Sequence, residues 1–186
     1  MDIVKEAQWV FDTEITALQK TQKSLGKDFE TIVQLVVNCT GKVIVSGMGK
    51  SGHIGAKIAA SLASLGTPSF FMHPGEAMHG DLGMVAKNDV VLLMSNSGES
   101  DEIVRLLPTL HEIQCITVAI TGNSRSILAK ECQYHFYFPH FEEACYMHLA
   151  PTSSTTALLV LGDAIAVVAS KLRNYTKNDF ALHHPA

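Results

Sequence analysis

KVIVSGMGKSGH, residues Lys42 to His53, sets a short β-branched strand against a glycine-rich turn that opens a helix. Such a turn bares backbone N–H groups at the positive end of a helix, an arrangement that holds phosphate. Gly47, Gly49 and Gly52 satisfy G-x-G-x-x-G, the pattern of a dinucleotide-binding turn. The acid that binds ribose in such sites belongs about twenty residues on, at the end of the next strand. That strand, Ser69–Met72, ends instead in His73 and Pro74. A nucleotide P-loop fits no better: Gly49–Lys50–Ser51 matches its end, but its first glycine would fall on Ile44. The turn therefore suits a smaller phosphorylated ligand, with Gly49, Lys50 and Ser51 beside it.

A second loop repeats the arrangement. The apolar strand Val90–Met94 runs into Ser95-Asn96-Ser97-Gly98-Glu99-Ser100, and a helix follows from about Asp101. Ser95, Ser97 and Ser100 with a permissive glycine at a helix start form another anion cup. The plainer reading is that Ser97 or Ser100 caps the helix, which stabilises by about 1 kcal/mol. Two such cups at the ends of two strands of one sheet favour the ligand reading.

Around these loops strands and helices alternate. Strands are predicted near Val43–Ser46, Ser69–Met72, Val90–Met94, Ile116–Ile120 and His135–Phe138. Helices are predicted near Ser51–Leu65, Asp101–Ile113 (kinked by Pro108), Ser124–Glu131, and from Pro151–Thr152 to about Arg173. Two helices precede them: Ile3–Ser24, ended by Gly26, and Phe29–Cys39, capped by Asp28. Continuous apolar strands alternating with helices imply a doubly wound α/β fold, a five-stranded parallel sheet sandwiched by helices. Residues 1–40 form the N-terminal helices and 41–186 the sandwich and tail of a single domain, 1–186, with no repeat or linker. Ligands of such folds sit at the carboxyl ends of the strands, where both cups lie.

Composition narrows the partners. Lys and Arg number 14 against 18 Asp and Glu, and no basic run interleaves with aromatics, so nucleic acid is not expected. No signal pattern opens the chain, and the longest apolar run, Ala157–Ala169, is interrupted by Gly162 and Asp163. A soluble, cytoplasmic protein without membrane contact is expected. The 4 cysteines show no C-x-x-C spacing, and three of them read as buried thiols. None of the 9 histidines forms an H-x-x-x-H or Cys/His ligand spacing, so no metal site is expected.

Six ordered blocks now resemble one family. GMGKSGHIG, HPGEAMHGDLGMV, SNSGES, EAC, LAPTSSTT and DFALHHP, spread from Gly41 to Pro185, are similar to the sugar isomerase (SIS) domain of the arabinose 5-phosphate isomerases. The resemblance is to a form without the paired CBS domains that usually follow. It implies interconversion of D-arabinose 5-phosphate and D-ribulose 5-phosphate, a step feeding the eight-carbon acid sugar Kdo of lipopolysaccharide and some capsules. It also implies homotetramers whose tail and His79 loop reach neighbouring subunits. Tyr146–Met147–His148 is bulkier than the family's usual residues, and Ala186 stands where the family has glycine.

Moving a carbonyl between C1 and C2 needs ring opening, a base at the adjacent carbon and stabilisation of an enediolate. No redox cofactor is required. By resemblance, Glu143 of the EAC block is the proton shuttle, Glu102 is a second acid, and His79 and His184 assist ring opening. Lys50 would offset phosphate or enediolate charge, and His73 stands where it could touch ligand. His183 beside His184 is ambiguous, and the block alignment alone chooses between them. Two alternatives stay open: another SIS isomerase such as 6-phospho-3-hexuloisomerase, and a sugar-phosphate sensor without turnover.

Overall fold

The computed structural model describes residues 1–185; Ala186 lies outside them. Five parallel strands form one sheet: β1 Val43–Gly47, β2 Ser69–Phe71, β3 Val90–Met94, β4 Ile116–Thr121 and β5 Tyr134–Tyr137, in the order β2-β1-β3-β4-β5. The helices are α1 Ile3–Ser24, α2 Lys27–Val37, α3 Gly49–Ser64, α4 Pro74–Ala77, α5 Asp101–Val104, α6 Leu107–Ile113, α7 Ile127–Glu131, α8 Ser153–Leu172 and α9 Lys177–His183.

Successive strand residues point to opposite faces, so each apolar strand feeds two cores. Val43, Val45, Leu92, Met94, Val118, Ile120 and Phe136 pack under α2, α3 and α8. Ile44, Val91, Leu93 and Ala119 pack with Ile103, Leu106, Leu110 and Leu128 on the other face. β1 and β3 are buried throughout, which is why they read as unbroken apolar runs. α8 is long and apolar enough to cross a bilayer by length and composition, and nine of its residues, including Ala157, Leu161 and Ile165, are buried in the protein. Its Asp163 pairs with Lys57 of α3.

The elements differ from the sequence expectation in places with physical causes. α2 starts at Lys27 after Gly26, so Asp28 lies in the first turn rather than at the cap. The expected helix from Asp101 to Ile113 is two helices, because Pro108 has no N–H to offer the carbonyl of Val104. α7 starts later, at Ile127, where the Ser126 hydroxyl accepts from the Ala129 N–H at 3.2 Å. Only Cys115 and Cys132 are buried, and burial pushes their thiols up to about 11 and about 12; Cys39 and Cys145 are half-buried.

One buried charge ties the turn before β3 to the start of β1. Asp89 is fully buried and accepts from Lys42 N–H at 2.7 Å, Ala86 N–H at 2.8 Å and the Lys42 ammonium. Burial raises its carboxyl, but the hydrogen bonds from Lys42 and Ala86 outweigh it and leave the group below the usual carboxylate range. A depressed folded pKa adds stability above the unfolded value of about 3.9 that is lost as pH falls through the folded value. Asp89→Asn is expected to cost about 1–3 kcal/mol at neutral pH and to flatten the loss of stability below about pH 4. Denaturant titrations across that range check it; an unchanged acid dependence would contradict it.

Candidate active site

The first cup is fixed by the meeting of β1 and α3. A Cβ on Gly52 would lie 2.5 Å from the Gly47 carbonyl oxygen, so only glycine lets the helix sit this close to the strand end. Gly49 turns the chain with φ +59°, and space above it is open, since a Cβ there would meet nothing within 4 Å. Lys50 is exposed in the first turn of α3, with no salt bridge among the described residues. Ser51, half-buried, faces the cleft described below.

The second cup is organised by Ser95. Its buried hydroxyl lies 2.8 Å from Ser100 Oγ and 3.3 Å from Ser97 Oγ, and accepts from Gly98 N–H at 3.0 Å. Ser97 Oγ also accepts from Glu99 N–H at 3.2 Å. Ser100 occupies the N-cap position of α5, yet its hydroxyl makes no cap bond and turns to Ser95 instead. The plain capping reading therefore fails for both serines. α7 steadies the loop from outside: Ile127 N–H donates to Glu99 Oε1 at 3.1 Å.

The third wall comes from the segment after β5. Ser51, Ser95, Asn96, Phe138, Phe141 and Ser154 line a small cleft. Glu143 is anchored beside Ser154. Its Oε2 accepts from Thr152 N–H at 2.7 Å, Thr152 Oγ1–H at 3.2 Å and Ser154 N–H at 3.2 Å. A carboxylate at the start of a 20-residue helix sits favourably in the field of the helix dipole. Two residues on, the nearby backbone N–H groups, that of Ala150 foremost, hold the Cys145 thiol below the ordinary range.

Other expected residues stand apart. Glu102 is exposed in the first turn of α5, just past the second cup. His73 caps α4, its Nδ1 accepting from Gly75 N–H at 3.1 Å, which engages one of its two ring nitrogens. His79 is exposed between α4 and a 3-10 turn, Asp81–Met84. His184 is not brought to the cleft of its own chain. Its Nε2 lies 2.9 Å from Ser64 Oγ, and its ring stacks on Phe180 at 3.8 Å. Ser64 ends α3, which puts His184 roughly 20 Å from the glycine turn at a rise of about 1.5 Å per residue. His183 lies at the same end of the sheet, 2.8 Å from the Tyr175 hydroxyl.

Sequence reasoning passed over Asn96, Phe138, Phe141, Thr152 and Ser154. Asn96 lay within the SNSGES block, and Thr152 and Ser154 within LAPTSSTT, so the motif was visible but the contact to Glu143 was not.

Comparison with known proteins agrees with this architecture. The model of the SIS domain matches residues 37–168. The chain is 50% identical over 184 residues to the arabinose 5-phosphate isomerase KdsD of Salmonella typhi, covering 99% of this chain and 56% of that protein. The chain thus spans about half the length of the curated relatives it matches. The solved structure of E. coli CFT073 c3406 in complex with arabinose 5-phosphate superposes with a TM-score of 0.96 at 43% identity, covering 99% of this chain and 98% of that one. The Vibrio vulnificus NanR protein complexed with ManNAc-6P shares the fold, with a TM-score of 0.80 at 19% identity over 99% of this chain and 68% of that one.

Ser95 is the hub of the second cup, so Ser95→Ala is expected to loosen Ser97 and Ser100 together. Binding of inorganic phosphate, followed by phosphorus NMR titration, should weaken about 10-fold, the scale of losing one or two good hydrogen bonds. Wild-type affinity in that variant would remove the loop from anion binding.

Proposed function

Since the chain belongs to the SIS domain family, we propose that it is an aldose–ketose isomerase interconverting D-arabinose 5-phosphate and D-ribulose 5-phosphate. The observation that carries this reading is a carboxylate, Glu143, clamped beside a cleft to which the two loops contribute Ser51, Ser95 and Asn96. A phosphate seated in the cups and a base held beside them are what a phosphosugar isomerase needs. The 43% identity to c3406, solved with arabinose 5-phosphate bound, favours the five-carbon aldose phosphate over the six-carbon alternatives.

The chemistry follows from that placement. Phosphate binds at Gly49, Ser51, Ser95, Ser97 and Ser100, and the opened sugar lies toward Glu143. Glu143 takes the proton from C2, leaving an enediolate whose charge Lys50 offsets, and returns a proton to C1. Between these steps O1 gains a proton and the O2 hydroxyl loses one, which turns the C1 aldehyde into the C2 ketone. A base so placed supplies about 10²–10⁴-fold. Glu102, His79 and His184 handle the oxygen protons and ring opening, and His73 contacts the sugar.

His184 lies about 20 Å from the turn of its own chain by helix length. On this reading it serves the cleft of a neighbouring subunit, in the homotetramer that the resemblance to the family implies. The protein acts in the cytoplasm, supplying Kdo synthesis for lipopolysaccharide or capsule.

Glu143→Gln is expected to lower kcat on D-arabinose 5-phosphate by about 100-fold or more with KM little changed. Co-expressed with an inactive His184→Ala chain, it should regain part of the activity, because some mixed sites then carry both intact groups. Undiminished kcat would remove Glu143 from the reaction, and absence of complementation would place His184 outside shared sites.

A further inference from the structure

We infer that Thr152 is a positioning residue for Glu143, its hydroxyl fixing which carboxylate oxygen faces the substrate. This rests on the reading of Glu143 as the base. Thr152 stands at the N-cap of α8, where a threonine hydroxyl ordinarily accepts from an N–H of the first turn. Here the hydroxyl makes no such bond and donates to Glu143 Oε2 at 3.2 Å. The cap is supplied from outside instead, by the carboxylate, which accepts Ser154 N–H. Threonine and glutamate have exchanged tasks.

The exchange aims the carboxylate as well as capping the helix. Three donors converge on Oε2, while Oε1 makes no hydrogen bond to any described residue. With one oxygen triply held, rotation about the last bond of the side chain is blocked, and the other oxygen keeps a fixed direction. The donors are themselves rigid. The Thr152 carbonyl accepts from Thr156 N–H at 2.9 Å and from Thr155 Oγ1–H at 2.9 Å, and Thr156 Oγ1–H donates to Glu14 of α1 at 2.7 Å. Glu143 thus borrows its orientation from α8, which is packed across the sheet. A base that must serve both C1 and C2 of one substrate gains from this, since small misplacements cost rate steeply.

Thr152→Val keeps the shape and the backbone donor and removes only the hydroxyl. It should lower kcat about 10-fold with KM within about twofold. It should also raise the isotope effect on kcat for substrate deuterated at C2, since proton transfer then limits turnover more fully. Thr152→Ser, which keeps the hydroxyl, should restore most of the rate, and both variants should melt within a few degrees of the parent. Wild-type kcat and isotope effect in Thr152→Val, with Glu143→Gln impaired, would overturn the positioning role while the base stands. A Thr152→Ser variant as slow as Thr152→Val would overturn it too. Full activity in Glu143→Gln would instead remove the base reading beneath it.

Discussion

β1 and β3 lie side by side in register, Gly47 opposite Met94, and each ends in a glycine loop that enters a helix. The strand order β2-β1-β3-β4-β5 makes this pair the switch point, where helices leave toward opposite faces and a crevice opens between their first turns. Contact between Gly52 and the end of β1 seats α3 directly over that crevice. A side chain at Gly52 would lift the helix and move Lys50 and Ser51 with it. The two cups are thus one site because of sheet topology, not because of any bond between the loops.

The third wall depends on a different element. α8 crosses the face of the sheet opposite α5 and α6, and its N-terminus arrives beside the ends of β3 and β4. Phe138 and Phe141 close that side with apolar surface, which lowers the local polarity and strengthens electrostatic interactions in the cleft. Glu143 has its negative charge balanced by the helix start rather than by a salt bridge.

Much of this was readable in the chain. The sheet and both cups followed from apolar runs ending in Gly47–Gly52 and Ser95–Ser100, because buried parallel strands leave an unambiguous pattern. Short elements escaped, among them α4, only four residues long, and α9, although its capping box at Thr176 and Asp179 could have marked it. The Ser95 hub was visible only as three serines, since direction of a hydroxyl depends on the fold of the loop. Thr152's bond to Glu143 spans nine residues of irregular backbone, a contact no periodicity encodes. His184 was singled out by its motif alone, and the fold holds its ring against Ser64, a contact the motif does not encode.

The central claim is that this cleft moves a proton between C1 and C2 of a five-carbon sugar phosphate. Proton and phosphorus NMR of the protein with D-arabinose 5-phosphate in heavy water tests it most directly. Ribulose 5-phosphate is expected to appear, with solvent deuterium entering C2 of the aldose as the reaction equilibrates. Broadened substrate lines without conversion would contradict the claim, and would mark the cleft as one that binds sugar phosphates without turning them over.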